Sequence, residues 1–466
     1  MILEKYLKEA LFMNSFLTKI IGTIIFTASL LHATLSFAET EVVEKARDLF
    51  DKGDNAKVEF ALEYFKKRKN LDSVGVLILA MRFSPSSHAV ADVLDEITGE
   101  KFGRDWEKWM LWQERNSQIK PFEGFNEIHA DIHKSIDGNF QLFLGGGRDY
   151  NIRVEEITWG GVVKDGIPAL TNPKLLTRDE ATYMLADDLV FGVNINGDAR
   201  AYPLRILDWH EMFNDIIGGV PVSLAYCTLC GSGILYETKV EGFPHHLTLG
   251  SSGFLYRSNK LMYDTYTHSL WNQFTGKPVA GTLANSGIEL KVRPVVITTW
   301  EKWQEENPTT KVISVETGYQ RDYGSGVAYA NYWASDDLMF PVQVDTSIHK
   351  AKDYVFSLRE GDVKKAWPIK FFKGGKVIND SAGSQKLVLV GDEASRTVRA
   401  YNSNGIEFSK TDDVTKISGN DQIWKVTENA LVAENGKKLN RLAGHIGFWF
   451  AWENYYGKQG EVAKLN

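Results

Sequence analysis

The sequence predicts an α+β fold, with a small helical N-terminal domain followed by a duplicated, mainly antiparallel β body. Three observations carry that expectation. Before residue 118 the apolar side chains recur at helical spacing. Beyond Phe122 they fall into short runs separated by turn residues. The second set of runs then repeats the first roughly 165 residues later, Val190-Phe191 returning as Val355-Phe356.

The chain opens with an expected export signal over residues 1–38. Lys19 precedes an apolar run from Ile20 to Leu31, and Ser36-Phe37-Ala38 offers small residues for cleavage after Ala38. The run is shorter than the roughly 20 residues a spanning helix needs. The expectation is therefore a periplasmic or secreted protein with no membrane insertion after cleavage.

Residues 39–118 are expected to form solenoid-like helical hairpins. Val58, Ala61, Leu62 and Phe65 share one helical face, and Ser84-Pro85-Ser86 separates two helices. Asp105 precedes Trp106, Trp109 and Trp112, a helical stripe of core residues. His129 and His133 are spaced i, i+4, but neighbouring Asp131-Ile132 and Gly138-Asn139 point to a loop there.

The β body divides into a first module, residues 119–345, and a second, degenerate one, residues 346–466. Val190 to Ile195, Asn196-Gly197 and Asp198 to Tyr202 read as strand, two-residue turn and strand. Tyr354 to Leu358, Glu360-Gly361 and Val363 to Trp367 repeat them, and Pro221 to Tyr226 and Lys386 to Val390 are the next equivalent strands. Ala201-Tyr202-Pro203 recurs as Ala366-Trp367-Pro368, and Asn214-Asp215 as Asn379-Asp380. Tyr202 and Asp215 are therefore structural, an aromatic core residue and a turn-capping carboxylate. At a shorter offset, Trp300-Glu301-Lys302-Trp303 recurs as Trp449-Phe450-Ala451-Trp452.

What fails to recur is the chemistry. His210 becomes Gly375, Glu211 becomes Lys376, Cys227 becomes Asp392 and Cys230 becomes Ser395. Cys227 and Cys230 are the only cysteines in the chain. A C-x-x-C pair is a redox disulfide, part of a metal site or an inert bridge. It follows an apolar strand and precedes Gly231-Ser232-Gly233, so it belongs on a strand-to-strand turn rather than a helix N-terminus. The pair is expected within bridging reach, at the mouth of a pocket.

Two cysteines exclude a Cys₄ zinc site within one chain. Cys227, Cys230, His210, Glu211 and Met262 form the candidate ligand set, for which copper comes before zinc. The alternatives are a metal-free thiol–disulfide redox protein, with His210 and Glu211 serving Cys227 and Cys230, and a non-catalytic binding module with a local disulfide. An unknown small molecule or a periplasmic redox partner is the expected counterpart. A net charge of −7, without a long basic run, gives nucleic acid no electrostatic foothold.

The residues between about Asp188 and Trp303 also resemble a known family. Ala201-Tyr202-Pro203, Trp209-His210-Glu211, Asn214-Asp215, Tyr226-Cys227-Thr228-Leu229-Cys230-Gly231, Gly250-Ser251-Ser252-Gly253, Met262-Tyr263-Asp264 and Ser269-Leu270-Trp271 are similar to the bacterial DUF3179 family. Thr228 stands where that family usually has proline. The family name implies no activity, so the functional reading rests on the residues.

Overall fold

The computed structural model describes residues 40–464, and the expected signal peptide lies outside them. The chain forms two compact units, divided after Ile132. In the first unit α1 (residues 40–48), α2 (Asn55–Arg68), α3 (Val74–Phe83), α4 (Ser87–Thr98) and α5 (Trp106–Arg115) follow one another. The Asp54 carboxylate caps α2 by accepting from the backbone N–H groups of Ala56 and Lys57. That helix buries Val58, Ala61, Leu62 and Phe65, the face its spacing predicted. Asp105 caps α5 in the same way, and Trp109 and Trp112 are buried.

The expected loop around His129 and His133 is corrected: both lie on α6 (Phe125–Lys134). Phe125, Ile128, His129 and His133 are all buried, at the i, i+3, i+4, i+8 spacing of one helix face. Imidazoles here occupy an apolar stripe, while Gly138-Asn139 lie beyond the helix end.

The second unit carries the β body, helices preceding a large, antiparallel-rich set of sheets. Its first half contains β1 (Leu189–Ile195), β2 (Asp198–Pro203), α7 (Leu204–His210), β3 (Met212–Ile217), β4 (Val220–Cys227), β5 (Ser232–Glu237), β6 (Leu249–Tyr256) and β7 (Asn259–Asp264). It continues with β8 (Val296–Thr299), α8 (Trp300–Glu306), β9 (Lys311–Ile313) and the short α9 (Ala330–Ala334). The second half runs through β10 (Tyr354–Glu360), β11 (Val363–Pro368), β12 (Lys376–Ala382), β13 (Gln385–Asp392), β14 (Thr397–Asn402), β15 (Gly444–Phe448), α10 (Trp449–Tyr456) and β16 (Glu461–Val462).

Both halves are wired alike. β8, β1 and β2 pair antiparallel and β9 joins β2 in parallel. In the second half β15, β10 and β11 pair antiparallel and β16 joins β11 in parallel. The meander β3–β4–β5 matches β12–β13–β14. In each half the helix that starts with tryptophan follows the edge strand. The first hairpin turns at Asn196 and Gly197, both at positive φ, the conformation that suits a two-residue turn between right-twisted strands.

The repeated Asn-Asp pair explains the likeness. Tyr202 donates its hydroxyl to Asp215 at 2.6 Å, and Trp367 donates its indole N–H to Asp380 at 2.7 Å. Arg200 pairs with Asp215 and Lys365 with Asp380. Asp215 is therefore structural, as expected, but it lies inside β3 and ties the hairpin to the meander rather than capping a turn. Asn214 both donates to and accepts from the Leu249 backbone at 2.9 Å, and Asn379 does the same with Phe408. One apolar core draws on both halves, with Phe191, Tyr202 and Leu224 from the first and Phe356, Trp367 and Leu389 from the second.

Asn214→Ala leaves a buried backbone N–H and C=O without partners. It should lower the unfolding free energy by about 2–4 kcal/mol in urea titration. Asn379 is only half-buried, so water replaces its bonds and Asn379→Ala should cost less. Equal losses would contradict this account.

Candidate functional site

β4 ends at Cys227 and β5 begins at Ser232, so the two cysteines sit on the tight turn between them, as their flanking residues predicted. Cys230 N–H donates to the Cys227 carbonyl at 3.1 Å and Gly231 N–H to that of Thr228 at 3.2 Å. Gly231 has positive φ, and a Cβ there would stand about 3 Å from the rings of Tyr354 and Phe448, so glycine is required twice over. The cysteines are joined as a disulfide with Cα atoms 5.2 Å apart, within ordinary bridging range.

The pair, expected at the mouth of a pocket, is buried. Cys227 is 4% exposed and Cys230 0%. Tyr332 of α9 donates its hydroxyl to the Leu229 carbonyl at 2.7 Å, and Phe448 N–H donates to the Cys230 carbonyl at 2.8 Å. Met262, fully buried, belongs to the same apolar cluster as both sulfurs, with Phe448 and Trp449. The surroundings are not wholly apolar. Cys230 Sγ lies 3.1 Å from the Ser258 carbonyl and 3.5 Å from Asn259 Oδ1. In the disulfide these are contacts; a Cys230 thiol would donate there.

Glu211 reaches this neighbourhood through Lys260, the residue after Asn259. It ends α7 in the left-handed conformation, its N–H bonded to the Leu207 carbonyl and its carbonyl accepting from Tyr226 N–H. Its carboxylate meets Lys260 Nζ at 2.7 Å, and both side chains are buried. His210, one residue earlier, is engaged elsewhere. Its Nδ1 lies 2.8 Å from the Pro168 carbonyl, which can only accept, so Nδ1 carries the proton. Nε2 then accepts from the Tyr323 hydroxyl at 2.6 Å. Burial holds the imidazole pKa below its usual value and keeps it neutral, the Pro168 bond opposing this.

With the sulfurs joined, neither is a thiolate. Among the described residues no three His, Cys, Asp or Glu side chains gather as they would around a metal ion. The expected copper or zinc centre of Cys227, Cys230, His210, Glu211 and Met262 gains no support, because the histidine lone pair is bound to tyrosine and the glutamate to lysine.

Two residues of the cluster escaped the sequence reading. Asp208, on α7, is buried and accepts from Tyr226 OH at 3.1 Å. Burial pushes its carboxyl up to about 7, the Glu211 charge adding to this while Tyr226 and Arg396 oppose it. The signal was present: at the offset that turns His210 into Gly375, Asp208 becomes Lys373. Lys260 gave no such signal.

Residues 164–459 match the family described as Protein of unknown function (DUF3179). The chain belongs to this family. The DUF3179 match takes in the repeated hairpins, the meanders and the cysteine turn of both halves of the β body. No curated protein and no solved structure matches the chain.

Lys260→Met would leave Glu211 buried and unpaired, and should cost about 3–5 kcal/mol in chemical denaturation. Adding Glu211→Gln should recover part of that loss; no recovery would refute the pairing. A second expectation concerns pH. Asp208 titrates near 7 when folded and near 4 when unfolded, so the folded state holds the extra proton between those values. Its stabilising contribution is present below about pH 4 and is lost as pH rises through 7. Relative to Asp208→Asn, the wild type should therefore lose stability from pH 4.5 to 8; a constant difference would refute the raised pKa.

Proposed function

We propose that this protein is a thiol–disulfide redox protein of an oxidising compartment, exchanging electrons with a dithiol or disulfide partner through Cys227 and Cys230. The observation that carries this reading is the location of the chain's one disulfide. It lies in the half that alone carries cysteines, beside Asn259-Lys260 and the buried Glu211 pair. A four-residue loop gains little chain entropy from cross-linking, so stabilisation alone is a weak reason for the bridge. Groups with perturbed pKa values gather where protons are handled, and Asp208, near neutrality, suits such transfer at pH 7.

In the exchange a partner thiolate attacks the sulfur of Cys227, the less buried of the two. The Cys227–Cys230 bond breaks, its electron pair goes to Cys230, and a mixed disulfide forms on Cys227. The second thiolate of the partner then attacks its own sulfur in the mixed disulfide and releases Cys227. Two electrons and two protons pass to this protein, and the partner leaves as a disulfide. Ser258 and Asn259 offer Cys230 only acceptor oxygens, which favours the thiol over the thiolate in the reduced state. Tyr332 must withdraw from Leu229 for the partner to reach the turn.

Equilibration of the folded protein with glutathione buffers, followed by thiol counting, tests this. Two thiols should appear together at a potential above about −300 mV, the region of exchangeable rather than structural disulfides. A bridge that stays oxidised in strong dithiol reductant until the protein is denatured would overturn the proposal and leave a static cross-link in a binding module.

A further inference from the structure

In the second half the turn between β13 and β14 takes the place of the cysteine turn. Asp392 stands for Cys227 and Ser395 for Cys230, and the covalent link becomes a hydrogen bond, Ser395 Oγ donating to Asp392 Oδ2 at 2.7 Å. The two turns are covered differently. Over the disulfide lie Tyr332 and Phe448. Over Asp392 and Ser395 lies α8, which sends down Lys302, its ammonium 2.7 Å from Asp392 and 3.1 Å from Ser395 Oγ. A cavity of about 380 Å³ opens here, walled by β8, α8, β12, β13, β14 and residues 410–417. Its size falls in the range of small-molecule sites.

The lining has a definite chemistry. Five cationic side chains face three carboxylates. Arg399 is committed to Glu306 and Glu428, Lys302 to Asp392, and Lys416 to Asp413 outside the cavity wall. Lys376 is exposed at the rim, and Lys410 rests on the carbonyls of Gly374 and Gly375, which a ligand anion could replace. Beyond these pairs Lys376 and Lys410 face Glu305, and that remaining balance favours a negative ligand. Val377, Val390 and Ile417 add apolar wall, which an inorganic ion would not use. An independent sign comes from Thr298 on β8: it lines the cavity, is 1% exposed, and its hydroxyl has no hydrogen-bond partner. A buried hydroxyl without a partner is costly unless a bound group or water meets it.

We propose that this cavity binds a small hydroxylated organic acid, its carboxylate held at the lysine-rich rim and its hydroxyls directed toward Ser395 and Thr298. The site is separate from the disulfide, and the proposal stands whether or not the cysteines exchange electrons. The duplicated frame thus holds two different sites at equivalent turns, one sealed over sulfur and one left open for a ligand.

Calorimetric titration of the intact protein tests it, with glucuronate and gluconate as probes and glucose and inorganic phosphate as controls. Saturable binding of an acid probe is expected, weakened about tenfold by Lys376→Glu, which reverses an exposed charge without touching the core. Lys302→Met should weaken it as well, and reduction of the disulfide should leave it unchanged. Absence of saturable binding by either acid would overturn the proposal. So would glucose or phosphate binding as tightly as the acids, or affinity indifferent to both lysine substitutions.

Discussion

A carboxylate, buried in the first half and partly buried in the second, ties each half of the β body together. Asp215 accepts from Tyr202 and Arg200, and Asp380 accepts from Trp367 and Lys365. Each ties a hairpin to the meander that follows it, while the neighbouring asparagine fastens that meander to the next strand through two backbone bonds. Because Asp215 is largely removed from water, its donors cannot be dispensed with. Aromatic and cation can vary, tyrosine with arginine or tryptophan with lysine, but both must be present. The position of the next turn follows from this clamp.

On that common frame the two halves diverge at equivalent places. The first closes its turn with a disulfide, buries it under Tyr332 and Phe448, and surrounds it with Met262 and aromatic rings. The second closes its turn with Ser395 and Asp392 and lets Lys302 reach in from α8. Each turn is covered in part by the half to which it does not belong, Phe448 joining Tyr332 over the first and α8 lying over the second. The halves therefore share one core.

The polar residues at the end of α7 combine opposite tendencies. Glu211 and Lys260 pair with each other in a place water barely enters, whereas Asp208, buried beside tyrosine, is driven toward its protonated form. Three charged residue types at the edge of an apolar cluster do not help folding much; a well-packed hydrophobic set would often do as well or better.

The sequence by itself determined what depends on local spacing. The Val58 to Phe65 face, the Asn196-Gly197 turn, the strand-to-strand cysteine turn and the family were all legible, because periodicity, turn residues and motifs act over a few neighbours. The same logic failed where side-chain identity masked periodicity: His129 and His133 occupy an apolar helix stripe, and polar neighbours suggested a loop. Partnership was decided only by tertiary structure. Glu211 meets Lys260 from 49 positions away, and His210 meets Pro168 and Tyr323 from 42 and 113 positions away. The joint loss of His210, Glu211 and both cysteines from the second half marked a region correctly but could not say which residues touch. Strand pairing and the packing of one sheet on another select those contacts, and neither leaves a trace at fixed spacing along the chain.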